Sequence, residues 1–201
     1  MPGAATVGAL VALTLLLPVR VLLQRRWTGA SGIVVGPGSA ARRPGSGRTA
    51  VALLAVGSLL VGLGPLLHWT GVGWAWEPAD ATLVHGVGIV LVVGGTAWTF
   101  WAQVVMRDAW RVGQRDDERL RLVTDGPFAH VRHPVYSGMV AIGVGLLLVD
   151  PTVAGAIGAP LLAAGAIVQA LRVEEPHLRD VHGAAYWAWA RDTGRFLPRV
   201  R

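Results

Sequence analysis

Long apolar runs separated by short polar stretches dominate the chain, and their lengths are those of helices rather than strands. Five runs approach or exceed the roughly 20 residues that a helix needs to cross a hydrocarbon core. They are Ala4–Leu23, Thr49–Leu67, Ala81–Val105, Pro134–Val149 and Thr152–Leu171. The fourth is short, and only Asp150-Pro151 separates it from the fifth. Proline disfavours helix at the residue before it, so this dipeptide predicts a tight turn and the last two runs a helical hairpin. Ala4–Leu23 has no basic residue ahead of it, and Arg20, Arg25 and Arg26 lie at or beyond its end. That is the reverse of a secretory leader, and a retained first span is expected. The pattern predicts an all-α fold: a polytopic membrane helical bundle of about five transmembrane helices, with a helical hairpin 4–5 and a cytoplasmic C-terminal tail. It reads as a single domain over 1–201. Three N-terminal spans lie within 1–105, with a flexible Gly/Ser/Pro/Arg-rich loop at 24–48, and a polar loop, the hairpin and the tail lie within 106–201.

Composition strengthens this picture. Only 15% of the residues are charged, against about 25% in soluble domains. All 18 basic residues are arginine, and their placement is one-sided. The first loop holds Arg25, Arg26, Arg42, Arg43 and Arg48, with Arg20 at the adjoining end of the first span. The third loop holds Arg107, Arg111, Arg115, Arg119, Arg121 and Arg132, and the tail holds Arg172, Arg179, Arg191, Arg195, Arg199 and Arg201. The segment before the first span, the second loop (69–80) and the Asp150 turn hold none. Five spans bring every arginine to one face, whereas four or six would split them. The positive-inside rule then predicts a multi-pass protein of the bacterial inner (plasma) membrane, N-terminus outside and C-terminus cytoplasmic. A pI near 11.3 is accounted for by this topology signal, so no nucleic-acid partner is expected. The absence of cysteine excludes disulfides, thiolate nucleophiles and cysteine-based zinc sites. Trp69, Trp74 and Trp76 are expected in an outer aromatic belt, and Trp27, Trp110, Trp187 and Trp189 in an inner one. Gly57, Gly62, Gly64, Gly94, Gly95, Gly143, Gly145, Gly155 and Gly158 are expected to permit close helix contact.

Chemistry-bearing residues concentrate in the third loop and the tail. From Trp110 to Gly138 the chain reads WRVGQRDDERLRLVTDGPFAHVRHPVYSG. Asp125-Gly126-Pro127 is a turn signal, and Pro134 suits a first helical turn. The two ends of a hairpin are neighbours in space. His133, Tyr136, Arg132, Arg172, Glu174 and Glu175 are therefore expected to converge at the inner membrane face. Singly, each has a plain structural reading as an interfacial anchor, a topology signal or an ion-pair partner. Together they form a polar cluster of the kind that is costly beside a membrane and often functional. Adjacent residues on a regular helix do not share a face, so Glu174 rather than Glu175 is expected to line the site. His130 and His133 form an HxxH without a third ligand at suitable spacing, and no metal is expected. No GxGxxG follows a strand-like run, so a soluble dinucleotide fold is unsupported.

LVTDGPFAHVRHPVYSG followed by EEPHLRDVHGAAYWAWARDTGRFLP resembles the isoprenylcysteine carboxyl methyltransferase family of integral membrane enzymes. The likeness covers about residues 106–201: a Gly-Pro-Phe turn, Arg-His-Pro-x-Tyr, a Glu-Glu pair, a Gly183-to-Tyr186 segment and a terminal Arg-Phe-Leu-Pro. The resemblance implies S-adenosylmethionine bound by the third loop, the hairpin and the tail. By position, Leu120, Arg121, Leu122 and Val123 correspond to a backbone-rich strip lining the cofactor, and Phe128 to a family aromatic. His133, Pro134, Val135 and Tyr136 correspond to the segment holding the amino-acid end, and Glu174 to a carboxylate near the ribose. Arg132 and Arg172 are possible substrate contacts, and no residue is assigned as a chemical catalyst. Prenylcysteine-specific relatives carry an Arg four residues before the Glu matching Glu174, where this chain has Ala170. The implied reaction is direct methyl transfer to a lipophilic small-molecule or lipid acceptor entering from the bilayer. Alternatives are a lipid-amine N-methyltransferase of the same architecture, an NADPH-dependent sterol-reductase-like enzyme, and a non-enzymatic membrane protein.

Overall fold

The structure, a computed structural model, describes residues 19, 21–29, 45–77, 81–110 and 120–199. The expected first span Ala4–Leu23 and loop 24–48 therefore lie largely outside the described residues, as do Arg111, Arg115 and Arg119. Helix α1 covers residues 21–28. It is followed by α2 (Ser46–Trp69), α3 (Ala81–Met106), α4 (Pro134–Val149) and α5 (Val153–Gln169). A widened π turn (Ala170–Glu174) leads into α6 (Glu175–His182), and α7 (Ala184–Asp192) closes the order. Among the described residues there is no β-strand, only two isolated bridges. Among the described residues, three helices are long and apolar enough to cross a membrane, at Gly47–Trp69, Ala81–Ala109 and Val153–His182, and Pro134–Val149 is a shorter apolar fourth. The fold is an all-α membrane helical bundle.

Helix α4 begins and ends where the sequence places it, because Pro134 supplies the first-turn φ and Asp150, ahead of Pro151, is extended (φ −140°, ψ 88°). The Thr152 side chain accepts from the Gly155 amide at 3.0 Å and so starts α5. The hairpin partners are not the most intimate pair: α2 lies along α5, and α3 along α4. Glycines make both approaches possible. A Cβ on Gly57 or Gly158 would strike the opposing backbone of α5 or α2, and one on Gly88 or Gly145 that of α4 or α3. Gly94 departs from expectation, since it faces open space and permits no helix contact. Val61, Val92, Leu146 and Ala159, one from each of α2 to α5, form the central core. Around it the outward apolar residues remain exposed, Leu59 at 57% and Val90 at 69%. Such a surface suits lipid as its solvent, with small residues rather than large ones at the helix contacts.

Both ends of the bundle are built. At one end the loop 70–77 is stitched to the hairpin turn by Val153 N–H to Trp74 O and Trp76 N–H to Pro151 O, both 3.0 Å. His68 Nδ1 lies 2.7 Å from the buried Asp150 carboxylate there. Trp69, Trp74 and Trp76 are exposed at this end. At the other end, the C-terminal tail folds back over the helix termini as α6, α7 and a strap at 193–199. The inner-belt expectation fails for Trp110, which is 3% exposed. Trp189 is half-buried, and its indole donates to Phe128 O at 2.8 Å. These two rings are structural contacts within the protein rather than lipid-facing anchors; Trp27 and Trp187 remain exposed.

Candidate functional site at the α4–α5 end

Gly126 adopts φ +55°, a conformation open to glycine, and this turns the chain into a short 3-10 segment, Gly126–Ala129. Phe128 is thereby driven into an apolar cluster at the end of α3. That cluster holds Ala102, Ala109, Val123 and Phe128, with Leu120, Val105, Met106, Val135 and Trp189 against them. Leu120, Val123, Phe128 and Val135, nominated separately from the sequence, thus lie together. Arg121 pins this strip to α3, donating to Val105 O at 3.1 Å and lying 3.4 Å from Asp108. Leu122 is half-buried between them in sequence.

Immediately beyond, the chain meets the C-terminal strap. Arg132 N–H donates to Gly194 O at 2.8 Å, His133 N–H to Arg195 O at 3.0 Å, and Gly194 N–H to His130 O at 3.1 Å. Ser137 Oγ donates to Phe196 O, and the Phe196 ring stands 5.7 Å from that of His133. Pro134 then opens α4 and carries Tyr136 and Ser137 inward.

The polar centre is a pair of carboxylates that share one imidazole. His133 Nδ1 lies 3.3 Å from Glu174 Oε2, and its Nε2 lies 3.4 Å from Glu175 Oε1. Tyr136 Oη donates to Glu174 Oε1. Glu175 is fully buried and also accepts from Arg195 Nε at 2.7 Å, Arg179 Nη2 at 2.8 Å and Arg132 Nη1 at 3.4 Å. Arg132 Nη1 additionally reaches Tyr186 Oη at 3.5 Å, and Tyr186 is itself fully buried. Burial alone would push the His133 imidazole towards neutrality. The hydrogen bonds and charges of Glu174 and Glu175 outweigh it and hold the pKa above the usual histidine value.

Both adjacent glutamates reach His133, as their expected convergence requires, although neighbours on a regular helix do not share a face. The π turn at Ala170–Glu174 widens the helix just before Pro176, whose ring lacks an N–H and would crowd a regular turn. The extra residue in that turn re-aims Glu174 and Glu175, and both reach His133. The glutamates nevertheless differ: the Glu174 side chain is 28% exposed, Glu175 wholly enclosed. Arg172 does not join the cluster and is exposed. Ala170 is 0% exposed within the π turn.

The family model for phospholipid methyltransferase matches residues 83–185, just over half of the chain. The chain belongs to this family. It is therefore a membrane methyltransferase, and the matched stretch runs from the start of α3 to the first turn of α7, including both glutamates, His133 and the Phe128 turn. No curated protein matches the chain. The strap lies outside the stretch that matches the phospholipid methyltransferase family, yet Arg195 and Phe196 belong to the same cluster. They, Tyr186 and Ser137 were not singled out from sequence as site residues. The Gly183-to-Tyr186 segment and the terminal Arg-Phe-Leu-Pro were the available signals, and nothing local to either shows that it returns to the His133 cluster.

Proposed function

We propose that this protein transfers a methyl group from S-adenosylmethionine to a lipophilic acceptor by direct in-line displacement, at the end of the bundle where α4 begins and α5 ends (the α4–α5 end, opposite the Asp150 turn). The observation that carries the reading is the convergence of His133, Tyr136 and Glu174 beside the apolar Leu120–Val123–Phe128 cluster. The residues suit such a donor. Glu174 is the partly exposed carboxylate, able to accept from two ribose hydroxyls in charge-assisted bonds. Arg132 Nε and Arg179 Nε are buried without a partner and are donors of the kind a carboxylate needs. The apolar cluster suits a purine, and Leu120–Val123 offers backbone groups along it. When bound, S-adenosylmethionine supplies an electrophilic sulfonium methyl, so the cofactor brings the chemistry and the protein the geometry. His133, Pro134, Val135 and Tyr136 hold the amino-acid end in this reading, and the apolar walls exclude water. Positioning of this kind contributes on the order of 7–11 kcal/mol to transfer.

The acceptor reaches the site from the bilayer, and the α4–α5 end faces the cytosol, where the donor is made. The arginines support this orientation: those described in the loops and the strap fall at the α4–α5 end, and residues 69–77 and 149–153 hold none. Membership of the phospholipid methyltransferase family favours a lipid amine as acceptor. The environment of Ala170 argues in the same direction. A farnesylcysteine carboxylate would need a cationic partner there, and position 170 offers a methyl group in a fully enclosed turn.

Isothermal titration of detergent-solubilised protein with S-adenosylhomocysteine and, separately, NADPH tests the reading. Binding of the first alone is expected; binding of NADPH alone would make the protein reductase-like, and binding of neither would remove the donor site. Labelled donor incubated with membrane lipid extracts should mark a lipid amine, with little label entering a farnesylcysteine analogue.

A further inference from the structure

We infer that Glu175 is a positioning residue of the methyl-donor site: it holds His133, and through His133 it aims the Glu174 carboxylate. The inference rests on the donor-site reading above, which assigns Glu174 to the ligand and His133 to the segment beside it. Glu175 itself cannot serve as a ligand contact in this arrangement. It is fully enclosed, and its two oxygens already face Arg132, Arg179, Arg195 and His133. Three guanidinium groups converge on a single carboxylate, an excess of cationic charge that the second carboxylate, Glu174, meets only through His133.

The imidazole is the link between the two. One ring nitrogen faces Glu175 and the other Glu174, at 3.4 and 3.3 Å. A ring that donates from both nitrogens is fixed in orientation, and it presents an N–H to Glu174 on one side while Tyr136 donates on the other. Glu174 is left with its exposed edge for a ligand. The groups that set the charge on His133 come from three segments. Glu174 and Glu175 lie on the π turn and α6, Arg132 and Tyr136 on its own segment, and Arg195, with the Phe196 ring, on the strap. Removing Glu175 takes away one counterion and leaves the guanidinium groups of Arg132, Arg179 and Arg195 that it held, which favours neutral imidazole. Removing Arg195 takes away a cation and favours the charged ring. A merely structural role for Glu175 predicts affinity losses at Glu175 and His133 that add in the double variant.

The test uses the full chain in detergent, with ¹⁵N resonances of the His133 ring, assigned by their loss in His133→Gln, and calorimetric titration with S-adenosylhomocysteine. Glu175→Gln is expected to move the His133 midpoint down by about one pH unit, and Arg195→Gln to move it up. Glu175→Gln is also expected to weaken S-adenosylhomocysteine on the order of tenfold, and that loss should vanish in a His133→Gln background. Unshifted midpoints in both variants, or losses that add fully in the double variant, would overturn the inference. Should Glu175→Gln give no folded protein, the upward shift in Arg195→Gln carries the test, and no shift there overturns it. If the unmodified chain binds no S-adenosylhomocysteine while both midpoints move as stated, the donor-site reading fails and the coupling of Glu175 to His133 stands.

Discussion

At the level of single residues, two adjacent glutamates do different work because their burial differs. Glu175 neutralises arginines and never meets solvent, whereas Glu174 keeps an open edge. Glu174→Gln is expected to weaken S-adenosylhomocysteine by about 1.5–3 kcal/mol, the scale of a hydrogen bond to a charged group, and His133→Ala by a similar amount. Unchanged affinity in calorimetry for both would remove them from the ligand site. The stability consequences should run the other way. Glu175→Gln strips a buried counterion, a change that costs on the order of 3–5 kcal/mol, so it should lower the unfolding temperature well beyond Glu174→Gln. His133 adds a pH dependence whose sign follows from its raised pKa. Such a group stabilises fully below its unfolded value, about 6.5, and loses that contribution as pH climbs through the folded value. Between about pH 6 and about pH 9 the unmodified chain should therefore lose more thermal stability than His133→Gln. Equal slopes would show that the two carboxylates do not hold the ring charged.

At the level of elements, what was legible in the sequence is what short-range chemistry decides. Pro134 and the Asp150-Pro151 pair bound α4 by their own φ preferences, and Gly126 turns the chain where Asp-Gly-Pro predicts. The apolar runs mark the spans because lipid demands length and hydrophobicity and little else. The π turn was not legible. Pro176 marks locally where a regular helix is disturbed, but the widened register itself is held by the four-donor carboxylate of Glu175 beside it. Nor was the strap, since residues 194–196 pair with residues 130–137 across some sixty positions of chain. Leu120, Val123, Phe128 and Val135 share the apolar cluster and His133, Tyr136 and Glu174 the polar one, Arg172 joins neither, and the residues that enclose the two were not foreseen. Gly194 shows how tight the strap is: a Cβ there would overlap the carbonyl of Leu197. Gly194→Ala should unseat Arg195 and Phe196 and sharply reduce S-adenosylhomocysteine binding while leaving the helical content by circular dichroism nearly intact. Full binding by that variant would show that the strap is dispensable.

At the level of the whole molecule, the two ends of the bundle are chemically unlike, and the proposed orientation rests on this asymmetry. One end carries exposed Trp69, Trp74 and Trp76 and the His68–Asp150 pair, with no arginine at residues 69–77 or 149–153. The opposite end carries Arg121, Arg132, Arg172, Arg179, Arg191, Arg195 and Arg199, three of them gathered on Glu175. Retention of arginine on the cytoplasmic side sets the orientation of a multi-pass protein, and aromatic rings settle at the interfaces. The same asymmetry serves the proposed chemistry, because a water-soluble donor is available only where the polar cluster opens and a lipid acceptor only along the apolar flanks. Reporter fusions should therefore score periplasmic after Glu77 and Asp150, and cytoplasmic after Asp125 and at the C-terminus. Introducing two or three arginines into the 70–77 loop should erode that pattern, since charge bias and not helix packing is argued to impose it. A periplasmic score at Asp125 together with a cytoplasmic score at Asp150 would invert the molecule. It would place the His133–Glu174 cluster away from its donor and so contradict the assignment of that cluster to S-adenosylmethionine.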